Sequence, residues 1–190
     1  METMKYHIQG VAPLLMHNGQ MAIPSNLFSK EISKISSKRK KVDADLDEMS
    51  RLEFLGGLYT VNGNIVIPGN VIEASLIGKG GAARKEKMGQ QAASALFVME
   101  DFPLIYDGAK DPDDLWKDKE FVHQAIVKIQ RSSILRTRPV FKEWACDIEF
   151  EIDTEYLDVE TVNRWVDVAG RLVGWCDWRP RYGRFTATKI

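Results

Sequence analysis

The densest grouping of chemically capable side chains runs from Gly174 to Phe185 and reads GWCDWRPRYGRF. Three arginines and four aromatic residues fall within these twelve positions. Guanidinium forks grip phosphates through paired hydrogen bonds, aromatic faces stack on bases, and glycines let backbone pass close to a strand. The chemistry that suits this composition is recognition of a single-stranded polyanion. The competing reading is a structural turn, with Arg179 and Arg181 paired to Asp177 and with Trp175 and Trp178 in the core.

Three further basic runs accompany this segment. Ile126 to Lys142 holds Lys128, Arg131, Arg136, Arg138 and Lys142 with no acid. Lys79 to Lys87 sets Lys79, Arg84, Lys85 and Lys87 against the single carboxylate of Glu86. Lys38 to Lys41 is wholly basic. The chain as a whole has 26 Lys and Arg against 27 Asp and Glu, for a net charge of −1. That excludes a histone-like polycation. The balance hides segregation, because Glu100 to Glu120 and Asp43 to Glu48 concentrate the acids. A near-neutral chain of this kind can keep a basic face, the electrostatic footprint of phosphate binding. Phosphates are therefore expected at Lys79, Arg84, Lys85, Lys87, Arg131, Arg136, Arg138, Arg179, Arg181 and Arg184. Trp178, Tyr182 and Phe185 are the expected stacking groups. The Lys79–Lys87 segment would close over the bound strand.

Catalytic motifs are scarce. No P-loop, dinucleotide fingerprint, GxSxG or HExxH occurs in the sequence. Of the three histidines, His7 lies in a strand-like run and His123 follows the acidic stretch, which leaves His17 as the one placed like a general base. The scattered histidines, and two cysteines (Cys146 and Cys176) outside any CxxC pair, suggest neither a metal nor a cofactor. A Pro-Gly turn at Ile67 to Ala74 could offer helix N–H groups to an anion. The longest apolar runs, Val11 to Met16 and Asn64 to Pro68, are far shorter than the ~20 residues of a membrane helix. Together with a charged start this predicts a cytoplasmic protein with no membrane partner.

The elements that must position these groups are legible in part. Met4 to Gly10 alternates as a strand, Trp144 to Ile152 does likewise, and Arg184 to Ile190 closes the chain as a third. Ala125 to Thr137 reads as one further strand. Leu27 to Gly56 is helix-biased around a charged joint, and Leu58 to Ile67 reads as a hairpin turning at Asn62-Gly63. Asp158 to Leu172 is predicted helical, with Val159, Val162, Val166 and Ala169 as its core stripe. The stretch 78–120 is expected as an insertion, its Gly78–Gln91 part a mobile loop. The resulting order, β-α-β-β-α-β, predicts an α+β fold in a single domain over 1–190. Its antiparallel sheet would be ferredoxin-like or RRM-like, with helices on one face and the other face free for a ligand.

Three segments together resemble the RAMP superfamily of CRISPR RNA-binding proteins, nearest to the backbone subunit that coats guide RNA. These are Gly10-Val-Ala-Pro13-Leu14-Leu15-Met16 after the first strand, Ile67-Pro68-Gly69-Asn70-Val71-Ile72-Glu73-Ala74 at a helix start, and the Gly174–Gly183 loop before Arg184-Phe185. The likeness covers about half of the chain in scattered pieces, and Glu73 stands where that family usually has Lys or Arg. A stand-alone viral or mobile-element relative would share these features. The resemblance implies a non-catalytic, largely sequence-independent binder of single-stranded RNA or DNA that self-associates along the strand or joins a related subunit. Two alternatives remain open at this point. One is a metal-independent endoribonuclease of the same superfamily using His17, and the other is a structural or assembly protein without nucleic acid.

Overall fold

Side-chain alternation builds the main sheet. In the middle of the first strand every second residue is buried, namely Met4, Tyr6 and Ile8, and Cys146, Ile148, Phe150 and Ile152 repeat that period later in the chain. A computed structural model describes residues 1–129 and 132–190. In chain order the strands are β1 (Glu2–Gly10), β2 (Leu14–Leu15), β3 (Thr60–Val61), β4 (Asn64–Ile67), β5 (Leu96–Phe97), β6 (Phe102–Pro103), β7 (Val122–Ile129), β8 (Ser132–Phe141), β9 (Ala145–Ile152) and β10 (Phe185–Lys189). The helices are α1 (Leu27–Ser36), α2 (Asp43–Gly57), α3 (Gly69–Leu76), α4 (Ala82–Lys85), α5 (Gly89–Ala93), α6 (Pro112–Lys117) and α7 (Val159–Val168), which ends in a π-type turn, Ala169–Val173. Among the described residues no helix is long and apolar enough to cross a membrane. The chain is a mixed α+β protein that divides into two compact units.

The first unit gathers Met1–Leu14, Asn64–Asp107 and Phe141–Ile190. Its sheet runs β10-β1-β9-β5 with every neighbour antiparallel. Tyr6 stands opposite Ile148 on one side and Lys189 on the other. Helix α7 begins at Asp158, whose carboxylate accepts the Thr161 N–H at 2.9 Å and so satisfies a donor that the helix itself leaves unpaired. Its Val162, Val166 and Ala169 are buried as the spacing predicts, and Trp165 joins them at 0% exposure. Each such apolar side chain contributes about 1.5–3 kcal/mol by leaving water. The Tyr6 hydroxyl donates to Asn163 Oδ1 at 2.6 Å, fixing α7 over β1. Burial first, and then the nearby Glu160 and Glu2, raise the Tyr6 hydroxyl to about 12.

Two expectations need correction in this unit. The 125–137 segment is not part of the sheet. Its place beside β9 is taken by β5, whose Leu96 pairs with Ile152 and is itself buried. Residues 78–91 are not a bare loop but contain α4 and the start of α5. Ala82, Ala83 and Ala92 are each at 0% exposure, so alanines that look merely flexible in composition are core contacts. Of the stretch 78–120, residues 78–107 belong to the sheet-bearing unit and 108–120 to the other.

The second unit comprises Leu15–Gly63 and Gly108–Val140. Asn26 caps α1 by accepting the Phe28 N–H at 2.9 Å. Asp111 caps α6 through the N–H groups of Asp113 and Asp114 at 2.9 and 3.0 Å, with Pro112 in the first turn, where its missing donor costs nothing. Phe54 of α2 meets Trp116 of α6 at a ring separation of 5.4 Å, and Arg51 bridges Glu48 and Asp113. The predicted turn at Asn62-Gly63 is present, with φ of 50° and 80°. The sequence read as one strand, 125–137, is an antiparallel hairpin in which β7 pairs with β8 from Val122↔Pro139 out to Ile129↔Ser132.

Candidate nucleic-acid interface

The segment after α7 is a loop held by its backbone and by a buried aromatic cluster. Gly174 (φ 74°), Cys176 (φ 61°), Trp178 (φ 52°) and Gly183 (φ 70°) all adopt left-handed conformations. The loop closes at its base through Trp175 N–H to Gly183 O at 2.9 Å, and Gly183 N–H donates to Pro13 O at 2.8 Å. A β-carbon at Gly183 would lie 2.0 Å from Trp175 O, so glycine is required there by both space and conformation. Trp175, 1% exposed, donates its indole N–H to Ser75 Oγ of α3 at 3.1 Å. It packs against Phe185 at 4.4 Å and Trp144 at 5.7 Å. Trp144 in turn needs Gly10, where a β-carbon would come within 2.3 Å of its ring nitrogen.

This arrangement sorts the four aromatics of the segment into two inside and two outside. Trp175 and Phe185 form the platform. Trp178 and Tyr182 form an edge-on pair with ring centres 5.9 Å apart, Trp178 being 36% exposed and Tyr182 half-buried. The expectation of Phe185 as a stacking group is corrected, since at 2% exposure its ring is committed to the core. The turn-like reading is half right, because Trp175 fills the core and Trp178 does not. Arg179, Arg181 and Arg184 are all exposed, and among the described residues none has a carboxylate partner. Arg184 is positioned through its main chain, whose oxygen accepts the N–H groups of Val11 and Ala12 at 2.9 and 3.3 Å.

The second basic segment belongs to the same unit. Helix α4 packs against both α3 and α7, α3 also meets the Ala169–Val173 turn, and the Trp175–Ser75 bond joins the C-terminal loop to that layer. Lys79, Arg84, Lys85 and Lys87 are exposed around α4. Glu86, the one acid of the run, faces inward. Both its oxygens accept from Arg164 of α7 at 2.8 Å, and Oε2 also accepts the Trp165 indole N–H at 3.0 Å. Those hydrogen bonds, Arg164's first and Trp165's second, hold its carboxyl down to about 2. The charge that sequence counting sets against the four cations is thus already matched by Arg164.

The helix start suggested for an anion and the sheet face expected to be open to a ligand have the following surroundings. The start of α3 is capped from within, because Asp101 Oδ1 accepts the Gly69 N–H at 2.9 Å. A β-carbon at Gly69 would lie 2.4 Å from Glu100 O, which explains the glycine without a ligand. The uncovered face of the sheet presents Lys5 and His7 of β1, Asp147, Glu149 and Glu151 of β9, and Phe97 of β5. Lys5 pairs with Glu149 at 2.7 Å and His7 with Asp147 at 2.6 Å. A face built this way repels a polyanion rather than receiving it. The alternation Asp147, Glu149, Glu151 on a strand was the sequence signal for this, since residues two apart share a face.

The second unit holds the remaining candidates. Arg136 donates to Glu53 Oε1 at 2.6 Å while Glu53 Oε2 accepts the Thr137 N–H at 2.8 Å, so this guanidinium ties β8 to α2. Arg138 lies opposite His123 in the hairpin. Burial, and secondarily Arg138, lowers the His123 pKa. Arg131 lies outside the described residues. His17 is exposed, and its main-chain oxygen accepts the Tyr59 hydroxyl at 3.0 Å. Among the described residues no three His, Cys, Asp or Glu side chains converge as a metal site would require. Compared with known proteins, the chain matches no family model, and no curated protein matches it either.

Proposed function

We propose that this chain binds single-stranded nucleic acid, RNA or DNA, without cleaving it and with little base preference, and that it is a RAMP-like protein. The observation that carries the reading is the C-terminal loop. Three exposed arginines and the pair of exposed Trp178 and half-buried Tyr182 extend from a backbone fixed on a buried Trp144–Trp175–Phe185 platform. Phosphates meet the guanidinium groups, and bases stack on the outward rings. The exposed Lys79, Arg84, Lys85 and Lys87 extend the cationic surface of that unit. The strand order β10-β1-β9-β5, with helices between β1 and β5 and between β9 and β10, supports a ferredoxin-like description, because a split β-α-β pair generates that order. Side-by-side assembly along the strand is part of the reading.

The test is binding of labelled single-stranded RNA, single-stranded DNA and duplex over a range of salt, with the recovered RNA checked for length after incubation in EDTA. Preferential, salt-steep binding of single strands with intact RNA is expected. Equal affinity for duplex, or no binding at low salt, would overturn the proposal. Cleavage that disappears in His17→Ala would replace it with the endoribonuclease.

A further inference from the structure

The hairpin of the second unit points to an interface that does not depend on nucleic acid. Among the described residues the sheet order β2-β8-β7 places β7 at an edge, with β8 as its paired strand. The short β2 lies at the root of the hairpin, where Met16 N–H donates to Pro139 O at 2.9 Å. Glu53 holds the same region through Arg136 and Thr137. Beyond the Ala125↔Arg136 pair only two strands remain, a number that is marginal in water. There Ile126 stands directly opposite Leu135, and the two are 75% and 49% exposed.

We infer that β7 pairs antiparallel with β7 of a second copy of this chain, about a two-fold axis through Ile126. Antiparallel strands related by such an axis keep their faces in common, so the axis must pass through a residue. Centred on Ile126, the register sets Ile126 against Ile126 of the second copy, Gln124 against Lys128, and Ala125 against Val127. The apolar pair becomes a continuous row across four strands, Leu135, Ile126, Ile126, Leu135, and no like charges are opposed. Centred on Ala125 instead, Ile126 would meet Gln124; centred on Val127, it would meet Lys128. Only the middle register joins the two apolar pairs, and apolar matching of this kind is what selects register. The interface is self-complementary and closes at two copies.

Cysteine cross-linking tests the register. Ile126→Cys would place two thiols on directly opposed residues, within reach of a disulfide under mild oxidation. Leu135→Cys is the control. Three strand spacings would separate its copies by about 14 Å, beyond the roughly 7 Å that a disulfide tolerates. Rapid dimer cross-linking at 126 and none at 135 is expected, both variants being made on a Cys176→Ser background because Cys176 is a half-buried free thiol, whereas Cys146 is 0% exposed. Sedimentation without nucleic acid should show a dimer for the natural chain and loss of that dimer in Ile126→Lys, with circular dichroism unchanged because the side chain is already exposed. A natural chain that sediments as monomer throughout the micromolar range, or equal cross-linking at both positions, would overturn the inference. Either result leaves the strand-binding proposal standing, since that rests on the other unit.

Discussion

Replacing Arg179 and Arg181 together by glutamine separates charge from architecture at the C-terminal loop. Both side chains are exposed and the loop is held by other groups, so the fold should be retained. Seven exposed cations stand in the two basic segments, Lys79, Arg84, Lys85, Lys87, Arg179, Arg181 and Arg184. Each single-strand phosphate neutralised adds a slope of about −0.7 to log K against log salt. If about five of the seven engage, the slope is roughly −3.5, and a fourfold rise in salt lowers affinity about 100-fold. Removing two contacts gives a slope near −2 and a fall of roughly 20-fold over the same range. Fluorescence anisotropy of a labelled homopolymer at four or five salt concentrations reads both values. A double variant with unchanged slope and a native circular dichroism spectrum would refute the reasoning, and would make the loop a structural closure.

Tyr182→Ala should weaken strand binding by ~1–3 kcal/mol through lost stacking, with the salt slope unaltered; the same titrations check it. Gly183→Ala should lower stability by at least ~1–3 kcal/mol, because the residue holds a left-handed φ and the new methyl meets Trp175 O; urea unfolding would measure this. Glu53→Ala leaves the Thr137 N–H and the Arg136 guanidinium without their acceptor and should cost about 1–3 kcal/mol in the same assay. Glu86 has a folded pKa depressed from 4.5 to about 2, so its contribution is complete above the unfolded value and is lost as pH falls toward the folded one. Glu86→Gln should therefore melt lower than the natural chain at neutral pH, and the difference should shrink between about pH 4.5 and 2; thermal melts across that window decide it.

The strands that alternate over seven or more residues, β1 and β9, were legible because one of their faces is buried and the other is not. Helix α7 is legible through its stripe of Val159, Val162, Val166 and Ala169, although its largest core residue, Trp165, lies outside that stripe. The pairing of β7 with β8 was hidden because both strands are apolar and β-branched enough to read as one continuous strand. The β5 strand is two residues long, too short for any period to register. Helices α4 and α5 were masked by glycine and lysine around small buried alanines. At the candidate site, the cluster of Arg and aromatic residues was visible by composition alone. The division between Trp175 and Phe185 inside and Trp178 and Tyr182 outside was not. The loop has no repeat, and positive φ at Cys176 and Trp178 redirects side chains in a way that spacing does not reveal.

The carboxylate row on β9 has a kinetic consequence for the first unit. Asp147, Glu149 and Glu151 lie on the uncovered sheet face, whereas Lys79, Arg84, Lys85 and Lys87 lie around α4. If the proposed strand binding holds, a polyanion nearing the carboxylate face would be repelled within about a Debye length, about 8 Å at physiological salt. Those three acids, which touch no ligand, would then govern how often an encounter is productive. Neutralising them should slow association at low ionic strength and leave the dissociation rate as it was.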